Sequence, residues 1–208
     1  MTEELIFIPS GKIKLEAKIK HNDPNRGAVV AHPHPLYGGS MHDFVVSLAV
    51  SALAEAGWTV LRFNFRGVGQ SEGTFDEGVG EAEDLAAAAG YLKENGMMQI
   101  LVAGYSFGAS IALKAWPQLK GLDVQPLILI ALPAALMSFD FVQLKPEVGL
   151  MICGGRDDIA PPDLARALGA KLLRPIEPVI IPGADHFFGG GEEALTHALK
   201  TYLHEEVS

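Results

Sequence analysis

The stretch Ile100-Leu101-Val102-Ala103-Gly104-Tyr105-Ser106-Phe107-Gly108-Ala109-Ser110-Ile111-Ala112-Leu113-Lys114-Ala115 decides how the rest of the chain is read. Its first five residues form a continuous apolar run, the pattern of a strand covered on both faces. Its last seven carry apolar residues at helical spacing. Between them, Gly104-x-Ser106-x-Gly108 leaves no room for a loop, so the chain must pass from strand to helix within a residue or two. A turn of that sharpness strains the backbone of its central residue, which small flanking residues permit, and lifts the central side chain above the sheet.

The same alternation extends in both directions. Continuous β-rich runs stand at residues 28–31, 59–65, 127–131, 149–153 and 178–181, with helical patterns at 43–56, 81–94, 107–116, 162–173 and 192–204. Gly57, Gly96 and Gly121 stand where helices should stop. Strands that alternate with helices imply a doubly wound, mostly parallel α/β sheet. The N-terminus differs. Residues 5–9 and 12–20 read as two strands joined at Ser10-Gly11, and Ile13, Leu15, Ala17 and Ile19 fall on one face of the second. This hairpin is expected as the antiparallel edge of the sheet. No linker interrupts the chain, so one domain over 1–208 is expected.

Composition narrows the classes of function. Of 208 residues, 49% are hydrophobic, enough for a large core. The net charge is −9 and the 16 basic residues are scattered, which argues against nucleic acid as a partner. The single cysteine, Cys153, lies in an apolar run and is expected to be a buried, inert thiol. The first residues, Met1-Thr2-Glu3-Glu4, lack the basic and apolar segments of a signal peptide. The longest apolar run, 127–137, is broken by Pro133 and falls short of the about 20 residues a membrane span needs. A cytoplasmic protein without membrane attachment is expected.

Ser106 stands where a nucleophile would. Its hydroxyl would project above the sheet, and the helix that follows would offer free N–H groups to a developing oxyanion. A serine hydroxyl needs a histidine to take its proton, and the histidine needs a carboxylate to fix its tautomer. On a strand-turn-helix of this kind the order along the chain is Ser, acid, His. Three histidines follow Ser106. His197 and His204 fall in a helical pattern and are expected to face solvent. His186 follows the strand at 178–181, in Pro182-Gly183-Ala184-Asp185-His186-Phe187, at the edge where ligands bind in open α/β sheets. For the acid, Gly154-Gly155-Arg156-Asp157-Asp158-Ile159-Ala160-Pro161 offers Asp157, with Asp158 expected to be exposed or to cap the Pro161 turn. Asp185 adjoins His186, but neighbouring side chains on extended backbone diverge. Asp140 comes too early to be favoured.

Other patterns point away from a cofactor or metal. His32-x-His34 with His42 has no acidic ligand and is interrupted by prolines, so no metal is expected. Gly67-x-Gly69-x-x-x-Gly73 places its third glycine one residue too late for a dinucleotide loop, and no helix follows at once, so it reads as a structural turn.

With Ser106, the Gly-x-x-Asp-x-x-x-Pro stretch at 154–161 and Gly-Ala-Asp-His at 183–186, the chain resembles the α/β-hydrolase superfamily over essentially all of its length. Ala31-His32-Pro33-His34-Pro35-Leu36-Tyr37-Gly38-Gly39-Ser40-Met41 and Leu61-Arg62-Phe63-Asn64-Phe65-Arg66-Gly67-Val68-Gly69-Gln70-Ser71-Glu72-Gly73 carry a narrower resemblance. They are similar to the small, lidless bacterial hydrolases related to dienelactone hydrolases, which themselves use cysteine where Ser106 stands. The resemblance implies an α/β-hydrolase fold, a Ser106-Asp157-His186 triad and no cap domain, since only Pro133 to Glu147 occupies the interval where helical lids occur. It also implies an oxyanion hole built from the Phe107 amide and one amide of the turn after the third strand. Pro33 and Pro35 have no N–H, which leaves His34 or Leu36, with His34 preferred. The expected substrate is a small ester or thioester in an open apolar cleft. Leu36, Tyr37, Phe107 and Phe187 would line it, together with Met137, Phe139, Phe141 and Phe188. The competing reading is a non-catalytic ligand-binding protein on the same scaffold.

Overall fold

Each apolar run becomes a strand of one sheet in the computed structural model, which describes residues 2–136 and 143–205. In chain order the strands are β1 (Glu4–Ser10), β2 (Ile13–Lys20), β3 (Arg26–Ala31), β4 (Thr59–Phe63), β5 (Gln99–Tyr105), β6 (Leu127–Ile130), β7 (Val148–Gly154) and β8 (Val179–Ile181). Across the sheet they run β1-β2-β4-β3-β5-β6-β7-β8. β1 and β2 are antiparallel to each other, β2 is antiparallel to β4, and the remaining pairs are parallel. This is the α/β-hydrolase architecture with its antiparallel N-terminal edge.

The helices are α1 (Phe44–Glu55), α2 (Val79–Glu94), α3 (Phe107–Lys114), α4 (Trp116–Lys120), α5 (Pro162–Gly169) and α6 (Glu192–Glu205). The chain steps from β3 through α1 to β4 in one direction, then from β5 through α3 to β6 in the other. Right-handed crossovers therefore put α1 and α3 on opposite faces. α6 packs beside α1, and α2 beside α3. Strand order thus reverses at β3 and β5, and a crevice opens beyond their carboxyl ends.

Most boundaries fall within two residues of the sequence expectation, and three of the differences have a clear local reason. The helix read over 107–116 ends at Lys114 and restarts as α4, because Pro117 has no N–H to give the Leu113 carbonyl. Gly121 therefore closes α4, with an ordinary φ of −65°, whereas Gly57 and Gly96 take φ of +90° as helix stops do. The helix read over 162–173 stops at Gly169, where the returning chain brings the Ile176 carbonyl against the glycine Cα and the Ile176 N–H to the Gly169 carbonyl. β4 stops at Phe63 rather than residue 65. Asn64 donates its N–H to the Glu16 carbonyl, and residues 64–73 fold back over β2.

That fold-back changes the edge strand. Glu16, on the face of β2 opposite Ile13, Leu15, Ala17 and Ile19, is only 7% exposed. Its carboxylate accepts from Asn64 Nδ2 and from the Gln70 N–H, both at 2.8 Å, while its own N–H donates to Ser71 Oγ at 2.9 Å. Gly69 makes this possible with φ +58°, since a Cβ there would overlap the Glu16 and Asn64 side chains. The glycines of 67–73 thus serve a structural turn. Cys153 is buried as expected, and burial pushes its thiol up to about 11. Among the described residues, no helix is long and apolar enough to cross a membrane.

Candidate active site

Ser106 emerges from the end of β5 beside the end of β3, where Ala31 pairs with Gly104. Its backbone stands at φ 53°, ψ −116°, far from the ordinary regions for an L-residue. Two glycines permit this. A Cβ on Gly104 would overlap the Gly108 carbonyl, and one on Gly108 would overlap the Ala31 carbonyl. Strand, turn and helix therefore touch backbone to backbone. The Ser106 N–H donates to the Ile130 carbonyl of β6 at 2.8 Å, which anchors the strained residue to its neighbour.

Asp157 and His186 come from the adjacent strands β7 and β8. Their two loops are joined by the Gly155 N–H to the Ile181 carbonyl and the Arg156 N–H to the Ala184 carbonyl, both at 2.8 Å. His186 Nε2 lies 2.9 Å from Ser106 Oγ, and His186 Nδ1 lies 2.9 Å from Asp157 Oδ2. Asp157 Oδ1 also accepts from the Ile159 and Ala160 N–H groups at 2.9 and 2.7 Å. All three side chains belong to buried residues. With the carboxylate as acceptor, Nδ1 carries the ring proton and Nε2 is left to accept from the serine hydroxyl.

The turn after β3 forms a short 3₁₀ segment, Pro35–Tyr37, capped by His34. Here the Leu36 N–H donates to the His34 ring at Nδ1, 3.2 Å away, so this amide is already engaged. The N–H groups of His34 and Phe107 have no acceptor among the described residues. The two residues are neighbours, their rings 4.6 Å apart, and Phe75 closes the same cluster at 5.1 Å from the His34 ring.

His32 points the other way, into the protein, and is wholly buried. Its Nε2 accepts the Phe65 N–H at 3.1 Å, which leaves the ring proton on Nδ1 facing the Pro33 carbonyl at 2.6 Å. Burial lowers its pKa to about 4, with the neighbouring His34 adding to the effect and the Pro33 bond opposing it. Both ring nitrogens are thus occupied by backbone groups. Among the described residues no cluster of ligating side chains suits a metal ion.

Around the serine, Leu36, Tyr37 and Phe187 are 67%, 89% and 66% exposed, while Phe107 is half-buried. Phe188 departs from expectation. It is fully buried at φ +57° and fills the core beneath the His186 loop rather than lining a cleft. Met137, Phe139, Phe141 and Asp140 lie outside the described residues. Asp158, Asp185, His197 and His204 are exposed. Asp185 instead braces its own loop, its Oδ1 accepting the Phe187 N–H at 3.0 Å.

Sequence reasoning missed Tyr105. Its hydroxyl donates to the His186 carbonyl at 3.1 Å, and burial together with Asp43, Asp157 and Asp185 raises its pKa, keeping the proton in place. A tyrosine ending an otherwise aliphatic strand was the available signal, since a buried phenol needs a polar partner.

No protein-family model matches the sequence. An uncharacterised protein of Rickettsia prowazekii is 37% identical over 206 residues, covering 94% of this chain and 85% of its own. Among solved structures, an α/β serine hydrolase homologue from Coxiella burnetii superposes with a TM-score of 0.87 at 36% identity, covering 98% of both chains. An α/β serine hydrolase without a lid from Xanthomonas campestris superposes with a TM-score of 0.85 at 32% identity, over 98% of this chain and 94% of its own.

Proposed function

The chain belongs to the α/β serine hydrolases, and we propose that it cleaves a carboxylic ester or thioester through an acyl-enzyme on Ser106. The observation that carries this reading is the continuous contact from Ser106 Oγ to His186 Nε2 and from His186 Nδ1 to Asp157, each at 2.9 Å. In that arrangement His186 takes the serine proton as Oγ attacks the carbonyl carbon. The N–H groups of Phe107 and His34, adjacent and without other acceptors among the described residues, receive the oxyanion. His186 then gives its proton to the departing alcohol or thiol. A water molecule, activated by the same ring, attacks the acyl-enzyme and restores the serine. Asp157 stays ionised throughout and holds the imidazolium.

The exposed rim of Leu36, Tyr37 and Phe187 favours a small substrate with an apolar acyl group, bound at an open site. Turnover of p-nitrophenyl esters of graded chain length, with an acyl-CoA and an amide alongside, tests the substrate class. A fluorophosphonate should label wild-type protein and leave Ser106→Ala unlabelled. That substitution should lower turnover by roughly 10⁴-fold or more without lowering the melting temperature. A folded wild type that neither labels nor hydrolyses any of these compounds refutes the proposal and leaves a ligand-binding protein.

A further inference from the structure

A hydrogen bond that lies outside the proton relay bears on whether the oxyanion can be held at all. The His34 N–H belongs to the same peptide unit as the Pro33 carbonyl, and in a trans peptide the two point in opposite directions. Whatever fixes the carbonyl therefore aims the amide. The Pro33 carbonyl faces His32 Nδ1 at 2.6 Å, and its other side is closed by Gly39, where a Cβ would overlap both the Pro33 and His34 carbonyls. The His32 ring is in turn anchored at Nε2 by the Phe65 N–H beyond the end of β4. It is wholly buried, and its depressed pKa keeps it neutral, with one donor and one acceptor matched to those two backbone groups.

We infer that His32 is a positioning residue for the reaction: its Nδ1–H clamps the Pro33–His34 peptide so that the His34 N–H faces the oxyanion. The inference rests on the acyl-enzyme reading above. It assigns His32 no proton transfer, because neither of its partners exchanges a proton during turnover. The clamp spans three strands. Its ring sits after β3, its anchor follows β4, and the amide it aims serves a nucleophile carried by β5.

Two substitutions separate the two ring nitrogens. An asparagine amide nitrogen lies as many bonds from the backbone as Nδ1, and a glutamine carbonyl oxygen as many as Nε2. His32→Asn keeps a donor for the Pro33 carbonyl and abandons the Phe65 anchor. His32→Gln keeps the anchor and abandons the donor. The expected result is a kcat for His32→Gln lower by about 100-fold, the scale of losing one oxyanion donor, at nearly unchanged KM, with His32→Asn within about tenfold of wild type. Equal losses in the two folded variants, or a loss confined to KM, overturn the inference. Nitrogen-15 spectra of the wild-type histidine rings provide a test that needs no variant to fold. At pH 7 the His32 ring should be neutral and protonated at Nδ1, and a ring protonated at Nε2 overturns the inference. Fluorophosphonate labelling of wild type distinguishes the failures. An unlabelled wild type defeats the acyl-enzyme reading and the clamp with it, whereas a labelled, active wild type with equal variants defeats the clamp alone.

Discussion

The turns around His32 and His186 hold the same side chain in comparable burial at the same edge of the sheet, and they give it different partners. Each ring meets one partner residue at each nitrogen. At His186 the partners are a carboxylate and a hydroxyl, a charged acceptor and a group with a proton to release. At His32 they are a peptide carbonyl and a peptide N–H, neither of which changes protonation at ordinary pH. A buried imidazole is therefore a base or a strut according to its partners, and burial alone does not separate the two. The partners follow from where the chain turns. His186 sits on a loop whose carbonyl meets Tyr105 at the end of β5, whereas His32 lies between the ends of β3 and β4, where its ring nitrogens meet backbone groups and the Phe65 ring packs edge-on against it.

The comparison breaks most completely if the charged partner of His186 is made neutral. In Asp157→Asn the side-chain oxygen can keep the Ile159 and Ala160 N–H groups, which turns its NH₂ toward His186 Nδ1. The ring then carries its proton on Nε2 and cannot accept from Ser106. Turnover should fall by about 10³- to 10⁴-fold in a folded protein. A fall of less than tenfold in steady-state kinetics would remove Asp157 from the mechanism.

Acid should expose His32 next. Its pKa is about 4 in the fold against 6.5 for the free side chain, mainly because of burial. Between those values the unfolded chain binds more protons than the folded one, so stability rises with pH across this window. The contribution is fully present above about 6.5 and is lost as pH falls through about 4, for a total on the order of 3 kcal/mol. Urea denaturation of wild type and His32→Asn should therefore converge as the pH is lowered toward 4. A constant difference between the two from pH 7 to pH 4 would contradict the assignment.

Smaller effects test the surroundings of His186. Tyr105→Phe removes the hydrogen bond to the His186 carbonyl while keeping the ring, and should lower stability by about 1–2 kcal/mol and turnover only a few-fold. An unchanged melting temperature would show that the hydroxyl contributes nothing. Phe187→Ala, at an exposed rim position, should raise KM for longer acyl chains and leave kcat nearly as it was. A change in kcat alone would mean that Phe187 holds the ring of His186, 5.5 Å away, rather than the substrate.

What the sequence makes legible depends on whether neighbours along the chain or neighbours in space set the outcome. Gly104-x-Ser106-x-Gly108 is readable because the turn, the strand before it and the helix after it are contiguous, and the other five parallel apolar runs are readable for the same reason. Ser106, Asp157 and His186 are separated in sequence but constrained by strand order, and they meet as expected. The burial of Glu16 is not legible, because it depends on residues 64–73 covering β2, a contact with no local signature. The burial of Phe188 is not legible, because nothing local reveals that the loop turns at φ +57° beside the exposed Phe187 and drives the next ring inward. In the sequence His32-x-His34 suggests at most a metal ligand, and the carbonyl and amide partners of His32 appear only once β3 and β4 lie side by side.

The close packing at Gly104 and Gly108 also bears on how this site can change over generations. Exchange of oxygen for sulfur at position 106 alters one atom and moves no backbone, so the cysteine nucleophile of dienelactone hydrolases lies a single substitution away. Any side chain at position 104 or 108 would instead force apart β5, α3 and the end of β3. On the acyl-enzyme proposal, the chemistry of the nucleophile is therefore open to drift, while the location of residue 106 is fixed by the same contacts that hold the sheet together.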